Sequence, residues 1–483
     1  MYLGLDIGTS GVKALLINAQ QEIVGSANSG LEVSRPHAGW SEQDPNSWLA
    51  ACDKVIEALR KAHPLEFAQL KAISLSGQMH GATLLDANNN ILRPCILWND
   101  TRSYAEAAEL DSDPRFRAIS GNIVFPGFTA PKLVWVARNE PEIFKRVAKV
   151  LLPKDYVAFW LTGRFVTDLS DASGTSWVDV VNRCWSDELL KLSGMRIDQM
   201  PEIYEGSEAT GTLRAELQDR WSLTDEVIVG AGAGDNAASA IGMGVADEGQ
   251  AFLSLGTSGV IFAATDGYKP NADSAVHAFC HALPKTWHQM GVILSASDSL
   301  NWFAKTVDRT AQDLDAELPN SVNGPANVKF LPYLSGERTP HNDASIRGAF
   351  VGLAQETKRT ELTQATMEGV AFAIRDNLEA LRTAGSDPQE IIAVGGATRS
   401  SFWLETLANI LNKPILLPED GDFGAAFGAA RLAILATGAD PATVLTTPNI
   451  KRTFLPNSDL QPKYEQAYQQ FRKLYPALKS LAV

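Results

Sequence analysis

The chain has 483 residues, enough for two or three domains of ordinary size, and two large ones are expected. Hydrophobic residues make up 45% and charged residues 20%, which excludes the disordered, collagen-like and membrane classes and leaves a globular protein that folds in water. A formal net charge of −14 without a compensating basic cluster excludes nucleic acid as the main partner, so an anionic substrate needs a local positive site.

The amino terminus, MYLGLDIGTS, has no basic segment ahead of a long apolar one, and nowhere do about 18 apolar residues run together, so a cytoplasmic protein away from membranes is expected. Three short strands, YLGLD, GVKALLIN and EIVGSAN, open the chain as a β-meander. In DPNSWLAACDKVIEALRKA, Asp44 suits an N-cap and Pro45 the first helical position, and Trp48, Cys52, Val55, Ile56 and Leu59 share one face. KAISLSG then returns as a buried strand, so strands and helices alternate and the class is α/β. Further on, EVIVGAGAGDNAASAIGMG reads as strand, glycine turn and small-residue helix, and QAFLSLGTSGVIFAAT as strand, turn and strand. GTSGV thus stands at residues 8–12 and again at 256–260, each time at a hairpin tip. A long helix ends at Gly385, followed by the strand IIAV, the turn GGATRS, the helix SFWLETLANIL, the strand PILLP and the helix GAAFGAARLAILATG. Residues 449–483 read as an irregular stretch and a closing amphipathic helix. No Pro- or Ser-rich linker separates the halves, so domains 1–246 and 247–483 should share an interface. The cysteines Cys52, Cys95, Cys184 and Cys280 lack CxxC spacing and read as buried thiols, and HAFCHA (His277, Cys280, His281) reads as packing rather than a metal site.

A Gly-Thr-Ser-Gly tip leaves backbone N–H groups open and adds two hydroxyls, a combination suited to phosphate oxygens. Two such tips can hold one polyphosphate from both sides, with Mg²⁺ screening its charge and Asp6 placed to hold the ion through water. EVIVGAGAG also has the look of a dinucleotide-binding turn. Counted from Gly230 or Gly232, however, the third glycine falls on Asp235 or Ala237, and a Walker A loop is absent.

DIGTSGVK, GDNAA, LGTSG and GGATRS, in that order, resemble the two phosphate loops, the catalytic-base segment and the adenosine loop of the FGGY carbohydrate kinases, within the actin, hexokinase and Hsp70 superfamily. GFTAPKLVWVARN at 127–139 and GAFVGLAQETKRTELTQATMEG at 348–369 fit the family's two signatures, so the resemblance spans residue 2 to about 437. LSGQMHGATLLD, RPCILWNDTRS, LLPKDYVAFWLTG, DLSDASGT and FLPYLSGERTPHND are most similar to family members that act on D-xylulose.

The resemblance implies two actin/hexokinase-like (ribonuclease H-like) domains with a cleft between them, residues 1–246 binding sugar and 247–483 binding nucleotide. It implies ATP- and Mg²⁺-dependent phosphorylation of D-xylulose at its 5-hydroxyl, giving D-xylulose 5-phosphate and ADP in pentose catabolism. Ribulose, glycerol or gluconate is the alternative acceptor. Asp235 would take the proton and, with Asp6, hold the metal; Met79 and His80 would contact the acceptor, Trp98 would cover its C–H face, and Asp100 and Asn236 would add polar contacts. Thr9, Ser10 and Lys13 would serve the first phosphate loop, Gly256 and Thr257 the second, and Gly396 and Ser400 the adenosine. The partners implied are a small sugar and MgATP, and the oligomeric state stays open, a homodimer included.

Overall fold

YLGLDI and GVKALLI are short apolar runs, buried along most of their length: in the computed structural model, which describes residues 1–419, 421 and 423–481, Tyr2–Ile7 and Gly11–Ile17 pair antiparallel with Asp6 opposite Lys13. Ile23–Gly30 extends this meander on one side. On the other, Ala72–Gly77 runs parallel to Tyr2–Ile7, placing Ser76 beside Asp6, and Ile228–Gly230 runs parallel to Ala72–Gly77. A parallel return needs a crossover, which Pro45–Ala62 supplies. Asp44 caps that helix by accepting from the Asn46 amide, Pro45 opens it, and Trp48, Cys52, Val55, Ile56 and Leu59 are its buried face, as the spacing predicts.

The second half builds the same sheet again. Ala251–Leu255 and Gly259–Thr265 form the hairpin, Trp287–Ile293 is its antiparallel third strand, and Ile391–Val394 and Ile415–Pro418 add in parallel on the far side. Setting aside the edge strands Ala209–Thr212 of the first sheet and His277–Cys280 and Ile450–Phe454 of the second, both sheets have the spatial order third, second, first, fourth and fifth strand, the ribonuclease H-like order of the actin/hexokinase fold. Two expectations need correction. Ile450–Phe454, read as irregular, is an edge strand on Ile415–Pro418; its central Lys451, Arg452 and Thr453 are exposed, a pattern that suits an edge but gives no inward alternation to read. Cys184 is exposed rather than buried, because it lies in a short surface ribbon with Val178–Asp179, whereas Cys52, Cys95 and Cys280 are buried. Residues 482 and 483, which end the second expected domain, lie outside the described residues.

The helix Ala425–Ala436 follows the last parallel strand of the second sheet but packs on Tyr2–Ile7 and Ala72–Gly77 of the first, and against Asp235–Met243. Small residues make this approach possible. A Cβ on Gly4 would fall 2.1 Å from the Ala426 carbonyl oxygen, and one on Gly428 1.7 Å from that of Ala238. Arg431 is buried in the same seam and donates to the carbonyls of Ile241 and Gly242, satisfying acceptors at the carboxyl end of Asp235–Met243. The halves also join where Asn122 and Ala278 exchange two hydrogen bonds of 3.0 Å, and through an apolar cluster that includes Met79, Phe125 and Phe128 from the first half and Phe252, Phe279 and Met290 from the second.

Among the described residues no helix is long and apolar enough to cross a membrane.

Candidate active site

Carboxyl ends of parallel strands collect functional residues because the chain leaves the sheet there in open turns. At that edge of the first sheet, Tyr2–Ile7 leads into the tip Gly8-Thr9-Ser10, and the short strand Ala233–Gly234, paired with Ser76 and Gly77, delivers Asp235. Asp235 is the first residue of the helix that follows, half-buried, with Oδ1 accepting from the Asn236 backbone at 2.7 Å and its side-chain amide at 2.9 Å. Oδ2 has no hydrogen-bond partner among the described residues. Burial, reinforced by the nearby Asp6 charge, pushes the Asp235 carboxyl up to about 6. Asp6 is raised too, by burial, against the opposing effects of its 3.0 Å bond from Ser76 and of Lys13 across the hairpin. Burial in turn lowers Lys13, against the pull of Asp6.

Two desolvated carboxylates side by side are hard oxygen donors, a fit for Mg²⁺ brought by a phosphate chain and still partly hydrated. They are too few for an all-protein cage, and no group of three or more His, Cys, Asp or Glu side chains among the described residues forms one.

The first tip is braced by side chains. Thr9 donates through Oγ1 to Gln78 at 2.9 Å and accepts from the Trp98 indole at 2.9 Å, while its carbonyl accepts from Gln43 at 2.8 Å. The backbone N–H groups of Thr9 and Ser10 bond to no described residue and remain open to an anion. Trp98 is 46% exposed, so the indole that is fastened by its nitrogen still presents apolar surface. Asp100, expected to contact the acceptor, is buried and fully engaged: it accepts from the Ser41 amide at 2.6 Å and pairs with Arg102 at 2.7 Å. The structure makes it a brace for the Trp98 turn.

Met79 and His80 follow directly on the central strand. A Cβ on Gly234 would touch Met79 Sδ at 3.0 Å, and one on Gly174 would fall 2.3 Å from His80 Nδ1, so both side chains fill space that only glycine leaves. His80 itself has a left-handed backbone (φ 69°), a conformation uncommon for a residue with a side chain and held here by its surroundings. Its carbonyl accepts from Lys132 at 2.7 Å and Thr129 at 3.2 Å, its ring stacks on Phe128, and Nδ1 lies 2.8 Å from the Gly174 carbonyl. A carbonyl can only accept, so Nδ1 carries the proton and Nε2 is the free acceptor. Burial, with Lys132 close by, pushes the ring down to about 3 and keeps it neutral.

Behind the Asp235 turn lies a charge cluster that sequence reasoning missed. Lys154 is fully buried and pairs with Asp155 at 2.7 Å and Asp168 at 2.9 Å, with Asp171 at 3.8 Å. Burial alone would lower the ammonium, but the three carboxylates together raise it above its ordinary range. Lys154 also reaches the Ala231 carbonyl, and Ser170, bonded to Asp168, accepts from the Gly234 amide at 3.1 Å. The residues on either side of the turn into Asp235 are therefore pinned to it. The segments LLPKDY and DLSDASGT carry the cluster, but only the fold brings Lys154 onto Asp168 and Asp171.

At the second sheet, the tip Gly256-Thr257-Ser258 turns its carbonyls inward: the Ala296 amide donates to Thr257 at 2.8 Å and the Ser297 amide to Gly256 at 3.0 Å. The N–H groups of the three tip residues bond to no described residue. Gly395, at φ 101°, lies against the end of Ala251–Leu255, with its absent Cβ 2.6 Å from the Leu255 carbonyl oxygen. This close approach sets the GGATRS turn beside the tip. Ser400 caps the helix Ser401–Leu411 by accepting from the Trp403 amide, and it donates to Asp315. Gly396 and Ser400, with Ser297, Asn301 and Asp315, line a cavity of about 520 Å³, a size common for a nucleoside-sized ligand. Asp315 and Asn301 carry no local sequence signal.

The structure thus gathers Asp6, Thr9, Ser10, Lys13, Met79, His80, Trp98, Asp235 and Asn236 at the first sheet's edge, and Gly256, Thr257, Gly396 and Ser400 at the second's. Models of known families match the same two halves: the N-terminal domain of the FGGY family of carbohydrate kinases over residues 1–242 and its C-terminal domain over 251–437. The xylulose kinase of Escherichia coli (strain K12) is 46% identical, covering 100% of both chains. A crystal structure of a xyloylose kinase from Brucella ovis superposes with a TM-score of 0.98 at 64% identity over 99% of each chain, and that of xylulose kinase from Rhodospirillum rubrum with 0.92 at 29% identity over 99% of each. With both domains matched in order and relatives aligned from end to end, the chain belongs to the FGGY family of carbohydrate kinases.

Proposed function

We propose that the chain transfers the γ-phosphoryl group of ATP to the 5-hydroxyl of D-xylulose, giving D-xylulose 5-phosphate and ADP in pentose catabolism. The observation that carries this reading is end-to-end similarity to xylulose kinases, together with a desolvated carboxylate, Asp235, beside Met79 and His80. The division near Asp247 into domains 1–246 and 247–483, the cytoplasmic compartment, and a sugar and MgATP as partners belong to the same reading.

Phosphoryl transfer through a loose transition state asks the protein to position an in-line oxygen, spread developing charge and accept a proton late. Asp235 accepts the 5-hydroxyl proton as that oxygen bonds to phosphorus and the bond to the ADP oxygen breaks. Its raised proton affinity suits it to the task, because a base works best with a pKa near the working pH. Asn236 fixes the carboxylate through Oδ1, leaving Oδ2 for the proton. His80, neutral with Nε2 free, accepts from an acceptor hydroxyl, and Trp98 covers the sugar's C–H face. The open N–H groups of the two tips, with the Ser10 and Thr257 hydroxyls, take the phosphate oxygens, and Lys13 adds positive charge. Gly396 and Ser400 wall the adenosine cavity. Asp6 and Asp235 would hold Mg²⁺, which when bound supplies neutralisation of phosphate charge.

The test is ADP release from MgATP with D-xylulose, D-ribulose, glycerol, gluconate or no sugar. D-Xylulose should stimulate release far above every other addition. Equal release with and without sugar would defeat the reading, and a strong preference for another acceptor would transfer it to that sugar.

A further inference from the structure

Arg338 comes from the second half, in the segment GERTPHND, yet its guanidinium lies 4.7 Å over the Phe125 ring of the first half. The residue is half-buried, and its guanidinium forms no hydrogen bond or ion pair among the described residues. The adjacent Glu337 makes no ion pair with it, and its charge only partly offsets the effect of burial on the guanidinium. That side chain is buried, its Oε1 accepts from the amides of Leu294 and Arg338, and burial pushes it up to about 8, so it is largely uncharged at neutral pH. Burial lowers Arg338 itself, and its charge in turn helps keep His80 and His277 neutral. A half-buried guanidinium that rests on one aromatic face and makes no side-chain hydrogen bond within the protein has N–H groups to offer a ligand.

The mounting is rigid. Thr339, the next residue, exchanges hydrogen bonds with Val292 and donates to the Ala275 carbonyl at 2.8 Å, and Glu337 is tied to Leu294. Contacts order the pocket from one end to the other. Gly234, next to Asp235, abuts Met79; Met79 and His80 share the space over Gly174; His80 stacks on Phe128 at 4.6 Å; Phe128 meets Phe125 at 5.4 Å; and Arg338 covers Phe125. Arg338 is also near enough for its charge to act on the His80 ring, so a sugar whose reacting hydroxyl lies on Asp235 and whose chain follows Met79 and His80 points its other end toward the Arg338 side of the site. For a ketopentose phosphorylated at O5, that end is the 2-carbonyl and the 1-hydroxyl. Two oxygens on neighbouring carbons match the paired N–H groups of a guanidinium, and a ketone oxygen can only accept.

We propose that Arg338 is the specificity-determining residue through which the second domain recognises the α-hydroxyketone end of the acceptor, donating to the ketone oxygen and the adjacent hydroxyl. The inference rests on the acceptor site proposed above. It also makes the pocket complete only when both domains contribute, so sugar binding and closure of the cleft are one event.

The experiment compares kcat/KM for D-xylulose, 1-deoxy-D-xylulose, which lacks the 1-hydroxyl, and xylitol, which lacks the carbonyl, in wild type, Arg338→Met and Arg338→Lys. Wild type should prefer D-xylulose over both analogues, and in Arg338→Met that preference should fall about 10-fold to 100-fold, as expected for lost charge-assisted hydrogen bonds, with KM for ATP within about 2-fold. Arg338→Lys keeps the charge without the fork and should retain an intermediate preference; it carries the test if Arg338→Met does not fold. Unchanged preference ratios in a folded variant, or an equal loss with all three acceptors, would overturn the inference while leaving the kinase reading intact. Inactivity of wild type on D-xylulose would remove the kinase reading instead.

Discussion

Replacing Gly428 with alanine tests how tightly the fold is coupled to the base. The new Cβ would lie 1.7 Å from the Ala238 carbonyl oxygen, 2.6 Å from its carbon and 3.0 Å from the Gly242 nitrogen, all backbone atoms that no rotamer change can move. Ordinary contact begins near 3.4 Å, so the helices Ala425–Ala436 and Asp235–Met243 must part by roughly 1.5–2 Å. Ala238 is less than one turn from Asp235, and the helix moves as a unit, so the carboxylate shifts by about 1 Å. A misplacement of about 1 Å costs on the order of 10²-fold in rate, and the overpacking about 1–3 kcal/mol or more in stability. Coupled ADP release with D-xylulose and thermal unfolding read the two effects. Gly267→Ala, whose added methyl meets nothing within 4 Å, is the control. Gly428→Ala with wild-type kcat and melting temperature would refute the reasoning.

Lys154→Met leaves Asp155, Asp168 and Asp171 buried without their cation, and denaturant unfolding should show a loss of about 3–5 kcal/mol at neutral pH. Because burial already favours the protonated forms of Asp155 and Asp171, the deficit should shrink at about pH 5, and a pH-independent deficit would contradict this assignment. Lys132 offers the opposite sign. Burial lowers it to about 7, so between there and its ordinary range the unfolded chain binds a proton that the folded one does not. Wild-type stability relative to Lys132→Met should therefore rise by up to about 1.4 kcal/mol per pH unit across that window, and a flat difference would count against it.

Much of this molecule was legible from local pattern. Short apolar runs broken by polar turns gave both hairpins, cap and proline gave Pro45–Ala62, and the repeated GTSGV marked two equivalent strand exits because each tip lies on a strand edge that the sequence itself delimits. What escaped was long-range. Lys154, Asp168 and Asp171 are ordinary surface residue types in the sequence, and only the packing of Pro153–Thr162 beside Val166–Asp168 turns them into a buried cluster. Asp100 was carried over from the family resemblance as an acceptor contact, and only the fold shows that Ser41 and Arg102 bond to both its oxygens. Arg338 and His277 lie far in sequence from His80, and their approach depends on how the domains meet. The course of Ala425–Ala436 back onto the first sheet is likewise a tertiary choice, since a helix of mostly small and apolar residues fits either sheet.

The measurement closest to the central claim is single-turnover phosphorylation of D-xylulose by wild type and Asp235→Ala, with folding verified by thermal unfolding and nucleotide binding by titration. The account predicts that the variant folds, binds MgATP and loses on the order of 10²–10⁴ in the rate of transfer, the usual contribution of a positioned base. A folded, ATP-binding variant that transfers phosphate to D-xylulose at the wild-type rate would contradict it.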